Sequence, residues 1–238
     1  MSSEQQMTKT DMDSLLRALG KELHKLHKGK NSCEIILVGG AAVVLSYNFR
    51  DSSGDIDALY QENAQIAECV DRVAEKLGFP TWMNDDFKLT SSYSTHLREY
   101  SEHYRTYGNG ALEIRIIRGA FLIAMKLIAA RSYKNDLSDV VGILQECADS
   151  GIPITKQQIL DAVTKLYGPE CRIPPNGQNL LDKLYGEGGE TIRYETVRSI
   201  EQSSRKNAIT FEKEYPGIMK QDNASDILAI IAANEKHL

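Results

Sequence analysis

The chain lacks most of the features that place a protein in a class at first sight. Its four cysteines, Cys33, Cys69, Cys147 and Cys171, form no Cys-x-x-Cys pair, which excludes a zinc ribbon and a thioredoxin-like motif. Scattered over 238 residues, they fit reduced thiols in a cytosolic protein better than a disulfide framework. Long apolar runs are missing too. Runs such as Ile35–Val38, Ala41–Leu45 and Ile227–Ala233 fall far short of the ~20 residues a membrane span needs. Met1 to Asp13 is polar and carries no apolar core of a secretory signal, so the cytoplasm is the expected location. Positive charge is not in excess. Lysine plus arginine number 28 against 33 aspartate plus glutamate, for a net charge of −5, so any nucleic-acid contact needs a local basic patch. Neither Gly-x-Gly-x-x-Gly nor the P-loop signature occurs, and there is no internal repeat or low-complexity tract.

What is present reads as a globular protein, with 42% hydrophobic and 26% charged residues. Its length suits one extended domain or two small ones. Leu15, Leu16, Leu19, Leu23 and Leu26 have helical spacing and predict a helix over Asp11–Lys28. Glu34–Val38 is a short apolar run stopped by Gly39-Gly40, which predicts a buried strand. A helix over Ala41–Tyr47 follows, then a strand over Asp55–Tyr60 and an amphipathic helix over Ile66–Leu77 closed by Gly78 and Pro80.

Trp82–Gly110 mixes Trp82, Tyr93, His96, Tyr100, His103, Tyr104 and Tyr107 with polar residues, and reads as one or two strands plus an irregular connection. Its aromatics are expected in local packing rather than in base stacking or a lid. His96 and His103, with no cysteine near, make no convincing zinc site. Leu112–Ile117 alternates as a strand. Helices are predicted over Ala120–Tyr133, Asp136–Cys147, Thr155–Leu166, Gln178–Tyr185, Glu190–Glu212 and Ser225–Asn234. Pro174-Pro175-Asn176-Gly177 reads as a turn. The layout is an α/β (α+β) domain over 1–150 and a helical domain over 151–238.

The chemistry concentrates in Val38–Leu45 and Arg50–Ala58. In a strand, residues two apart face the same way. Asp55 and Asp57 would then project side by side, ~6–7 Å apart at Cα. Such like charges repel, and a divalent cation between them relieves the repulsion. Magnesium favours one or two carboxylates plus substrate phosphates over a full protein cage. Gly39-Gly40 supplies the complement, because glycines at a strand-to-helix turn admit a ligand close to the backbone. The helix that follows offers unpaired N–H groups and a positive dipole end, which suit phosphate. Taken singly, the glycines also fit an ordinary tight turn and the aspartates a solvated strand face.

Gly39-Gly40, a small-residue helix, then Arg50-x-Ser52-Ser53-x-Asp55-Ile56-Asp57 resembles the signature of the DNA polymerase beta-type nucleotidyltransferases. It is most similar to the bacterial branch of abortive-infection-type nucleotidyltransferase toxins and their uncharacterised relatives. A second block resembles theirs as well: Lys126 and Arg131 on a helix, then Asp136-x-x-Asp139. The two blocks span roughly residues 33–145.

The resemblance implies a mixed sheet flanked by helices with an all-helical C-terminal region. It implies a nucleoside triphosphate bound with Mg2+ (two ions, with Mn2+ able to substitute) and a nucleoside monophosphate transferred to a hydroxyl on tRNA or protein. A toxin–antitoxin role follows, with an antitoxin protein as partner. Gly39 and Gly40 would hold phosphates, with Arg50, Ser52 and Ser53 beside them. Asp55 and Asp57 would bind metal, and Glu113 is the candidate third carboxylate. Lys126 would reach the triphosphate, and Arg131, Asp136 and Asp139 would flank the site or orient Lys126.

Lys126 alone also fits a snorkelling lysine, and Asp136 a helix N-cap. Five residues separate Lys126 from Arg131, ~500° of helix, so the two do not share a face. Ala41 stands where the family usually has Ser or Thr, which removes a hydroxyl contact to phosphate. Two other functions stay open: a catalytically degenerate nucleotide- or partner-binding module, and an antibiotic nucleotidyltransferase. Arg193, Arg198, Arg205 and Lys206 form a basic stretch, but interleaved Glu190, Glu195 and Glu201 suit a solvated face.

Overall fold

The structure, a computed structural model, describes residues 5–27, 33–60, 64–84, 96–186, 192–220 and 223–235. Tyr93, Glu190 and the Lys28 end of the first predicted helix lie outside the described residues. The chain divides into two compact units. One comprises Met1–Leu122 with Ala162–Pro169, the other Ile123–Asp161 with Glu170–Leu238. The segment from Ile123, which the sequence groups with the α/β half, thus belongs with the C-terminal helices.

The first unit opens with a two-residue strand, β1 (Met7–Thr8), and helix α1 (Lys9–His27). Thr8 and Asp11 start that helix reciprocally. The Thr8 amide donates to Asp11 Oδ2 at 2.8 Å, and the Asp11 amide to Thr8 Oγ1 at 3.3 Å. This is a capping box with Asp in the third position. The stripe Met12, Leu15, Leu16, Leu19 and Leu23 is wholly buried, as its spacing requires. At Gly20 the helix runs so close to the following sheet that a Cβ would stand 2.6 Å from the Tyr107 Cβ. Close packing therefore keeps a residue that costs a helix ~1 kcal/mol relative to alanine.

The sheet is built from β2 (Cys33–Leu37), β4 (Ile56–Tyr60), β5 (Met83–Asn84), β6 (Ser101–Tyr107) and β7 (Leu112–Ile117). Its order is β5-β4-β2-β7-β6. β2 lies antiparallel to β4 and parallel to β7, so the sheet is mixed. Ile35, Leu37, Ala58, Ile114 and Ile116 meet in register and are buried. Helix α2 (Gly39–Ser46) follows β2 after one residue and is buried from Gly40 to Leu45. It is apolar all round, as a helix inside a core must be. β3 (Ser52–Ser53) pairs with β1, placing Met7 opposite Ser53 and Thr8 opposite Ser52. Helix α3 (Ala64–Leu77) packs against α1.

Within the aromatic segment, Trp82, Tyr100 and Tyr107 serve in packing. Trp82 is buried and its indole N–H donates to the Val70 carbonyl at 3.3 Å. Tyr100 stacks on Phe121 with centroids 4.3 Å apart, and the Tyr107 hydroxyl donates to Asp13 at 2.7 Å. Burial pushes the Cys33 thiol up to about 11 and raises that of Cys69, so both stay protonated. No disulfide joins the four cysteines.

Helix α4 (Gly119–Ala129) crosses from the first unit into the second. Helix α5 (Asp136–Asp149) lies in the second, and α6 (Lys156–Tyr167) crosses back. Helices α7 (Pro175–Tyr185), α8 (Tyr194–Glu214) and α9 (Ala224–Glu235) complete the second unit. The predicted turn at Pro174–Gly177 is instead the start of α7, with Pro174 as N-cap and Pro175 in the first helical position. Proline is well placed there because the missing N–H has no intrahelical acceptor anyway. Among the described residues no helix is long and apolar enough to cross a membrane.

Candidate active site

Gly39, Gly40, Arg50, Ser53 and Asp57 gather around the start of α2. Its N-cap is Val38, which supplies no side-chain cap, and its first turn holds no acidic residue. The first helical bond runs from the Ala42 amide to the Val38 carbonyl at 3.3 Å. The amides of Gly39, Gly40 and Ala41 therefore precede any intrahelical acceptor. Gly39 has φ +62, and a Cβ there would collide with the Asp57 carboxylate. A Cβ on Gly40 would strike Ser53 Oγ and stand 2.9 Å from an Arg50 guanidinium nitrogen. Both glycines are required by close approach, with a carboxylate against one and a cation and hydroxyl against the other.

Asp57 is the second residue of β4, and its backbone carbonyl accepts from the Val38 amide at 3.0 Å. Asp55 lies at the bend just before the strand, so the strand is one residue shorter than predicted. Both aspartates are half-buried, with fully buried Ile56 between them. Asn84 on β5 donates its amide to Asp57 Oδ1 at 3.2 Å. Nothing in the sequence marked Asn84, because only the parallel register with β4 brings it level with Asp57. Arg50 Nε donates to the Ser52 carbonyl at 2.9 Å. The Ser52 hydroxyl turns to Gln6 at 3.3 Å, so Ser53 is the serine that faces Gly40.

Glu113 does not join this group. It lies opposite Glu34 on β2, whereas Asp57 lies level with Val38. Four strand positions and two strands separate them, ~16 Å at Cα from strand rise and spacing. Its carboxylate accepts from Arg115 Nη1 at 3.3 Å instead. Among the described residues no three His, Cys, Asp or Glu side chains are grouped to hold a metal ion. His96 and His103 are both exposed, beside Glu99 and Thr106 respectively.

The second block forms its own polar cluster within the second unit. Lys126 Nζ lies 3.1 Å from Asp136 Oδ1 and 3.0 Å from Asp139 Oδ2. Arg131 grips Asp136 three ways: Nε to Oδ2 at 2.7 Å, Nη2 to Oδ1 at 3.2 Å, and its amide to Oδ2 at 3.2 Å. Both aspartates are fully buried and Lys126 nearly so. Burial works to raise the Asp136 pKa, but the Lys126 ammonium and the Arg131 guanidinium outweigh it and hold the carboxyl below its ordinary value. The helical arithmetic that kept Lys126 and Arg131 apart does not apply. α4 ends at Ala129, and Ala130 turns left-handed with φ +37. That residue swings Arg131 off the helix and onto the carboxylate Lys126 already holds.

Sequence reasoning missed two members of this cluster. Glu201 on α8 is buried, and its Oε1 accepts from the amides of Leu137 at 2.8 Å and Ser138 at 3.3 Å. The Ser138 hydroxyl donates to Glu201 Oε2, and Arg198 donates to the Asn135 side chain. Burial pushes the Glu201 carboxyl up to about 7, against the lowering pull of those donors. Asp136 is thus not the N-cap of α5. That position is Asn135, and a side chain from another helix serves the open amides.

The mixed sheet flanked by helices, with a helical C-terminal region, is the fold that the resemblance to nucleotidyltransferases implies. Residues 14–166 match the family model described as "Nucleotidyltransferase of unknown function (DUF6036)", and the chain belongs to that family. No curated protein and no solved structure matches the chain.

Proposed function

We propose that the protein is a metal-dependent nucleotidyltransferase that moves a nucleoside monophosphate from a nucleoside triphosphate to a hydroxyl acceptor. The observation that carries this reading is the pair of tight glycines. They seat Asp57 on one side and Arg50 with Ser53 on the other of an uncapped helix start. Three amides and a guanidinium suit anionic phosphate oxygens. Asp55 and Asp57 suit a Mg2+ ion that arrives with those phosphates, since such an ion needs few protein ligands. When bound, the metal supplies charge neutralisation at the phosphates.

The chain's own residues orient the triphosphate so that the acceptor oxygen bonds to the α-phosphorus while the bond to pyrophosphate breaks. The hydroxyl proton leaves to solvent. Lys126, with Arg131, Asp136 and Asp139 around it, is the second cation assigned to the triphosphate. That assignment, the tRNA or protein acceptor and the role of a toxin paired with an antitoxin rest on the resemblance of the two sequence blocks. Calorimetry with each of the four triphosphates, with and without magnesium, tests the binding half. Magnesium-dependent binding lost in Asp57→Asn supports it, and equal binding by that variant refutes it.

A nucleotide- or partner-binding module on the same fold is favoured by one observation. No third carboxylate joins Asp55 and Asp57 among the described residues. Magnesium-dependent binding without any transfer of label would select this second reading.

A further inference from the structure

Glu201 and Arg198 lie on α8, beyond the residues 14–166 that the family model covers. They are three residues apart, so one helix face presents both. Both act on the same spot, the first turn of α5. Arg198 holds the N-cap residue Asn135, and Glu201 takes the amides of Leu137 and Ser138 and the Ser138 hydroxyl. That turn also carries Asp136 and Asp139, the two carboxylates on either side of Lys126. The open amides of a helix start need acceptors when buried. The N-cap residue Asn135 makes no side-chain cap hydrogen bond of its own.

We infer that Glu201, assisted by Arg198, is a positioning residue that fixes the Lys126 ammonium by clamping the start of α5 from the C-terminal helix. It touches neither Lys126 nor substrate in this role. It sets where Asp136 and Asp139 stand, and they set Lys126. The consequence for nucleotide binding rests on the function proposed above, but the clamp itself does not. Glu201→Gln keeps one oxygen for the two amides and an N–H for the Ser138 oxygen, so it preserves the clamp. Glu201→Ala removes it.

The test is acetylation of Lys126 in the full chain, read by mass spectrometry, beside calorimetric titration with magnesium and each triphosphate. Glu201→Ala speeds Lys126 labelling about tenfold, the factor a lost helix cap gives in a local opening equilibrium. Glu201→Gln labels no faster than the wild type, since its acceptor oxygen remains. A thermal melt confirms that each variant is folded. For any triphosphate the wild type binds, the alanine variant weakens affinity and the glutamine variant restores it. Unchanged Lys126 labelling in folded Glu201→Ala overturns the inference. If that variant does not fold, amide exchange at Leu137 and Ser138 in Arg198→Ala decides, with faster exchange supporting the clamp and unchanged exchange overturning it. If the wild type binds no triphosphate, the proposed function fails while the labelling still decides the clamp.

Discussion

Replacing Lys126 with methionine removes the ammonium that stands 3.1 and 3.0 Å from two fully buried carboxylates. The aliphatic length is kept, so packing changes little and the lost charge dominates. Arg131 still faces Asp136 at 2.7 Å, which leaves the local charge one unit more negative. Breaking a buried ion pair from one side costs about 3–5 kcal/mol, because the desolvated charge left behind loses its compensation. In a chain of this size that lowers Tm by roughly 6–20 °C.

The assay is urea unfolding followed by far-ultraviolet circular dichroism, with the slope checked for constancy. Lys126→Met combined with Asp139→Asn removes one charge of each sign and recovers at least half of the loss. The acid limb carries an independent sign. The folded Asp136 carboxyl sits below its ordinary value, so its contribution is complete above about pH 4 and fades as pH falls through the lower folded value. In Lys126→Met that acid-induced loss shrinks. A loss below about 1 kcal/mol, the scale of an exposed pair, refutes the claim that Lys126 is held by these carboxylates.

Gly39→Ala combines a left-handed backbone with a Cβ driven into the Asp57 carboxylate. It costs about 1–2 kcal/mol from the backbone alone, and magnesium-triphosphate binding falls with the displaced Asp57. Unchanged affinity by calorimetry contradicts that geometry. Glu201 titrates near 7 in the folded chain, above its ordinary value of 4.5. The folded state therefore holds its proton more tightly, and this stabilisation is full below about pH 4.5 and lost as pH rises to about 7. Glu201→Gln, which does not titrate, gains on the wild type by up to about 3 kcal/mol across that window, at ~1.4 kcal/mol per unit. Parallel stability curves from urea melts at pH 4.5 and 7.5 would refute the assignment.

Wherever one face of an element is buried, the chain's own periodicity exposes it. Leu112–Ile116 alternates because β7 buries Leu112, Ile114 and Ile116 on one face, and the leucine stripe of α1 is its contact surface. The glycine turn and the two aspartates were legible because close approach and charge leave few residue choices. The rest depends on long-range placement. Lys126 and Arg131 meet because one alanine adopts φ +37, which no helical arithmetic foresees. Glu113 looks like a third carboxylate until register places it opposite Glu34. Glu201 reads as one more charge on a solvated face. Only the packing of α8 on the start of α5 makes it a buried cap.

The most direct test of nucleotidyl transfer at this site is incorporation of α-labelled nucleoside triphosphate, with magnesium, into a cell lysate, comparing the wild type with the Asp55→Asn, Asp57→Asn double variant. Magnesium-dependent incorporation that vanishes in the double variant is the predicted result. No incorporation by the wild type with any of the four triphosphates, or incorporation that survives both substitutions, contradicts it.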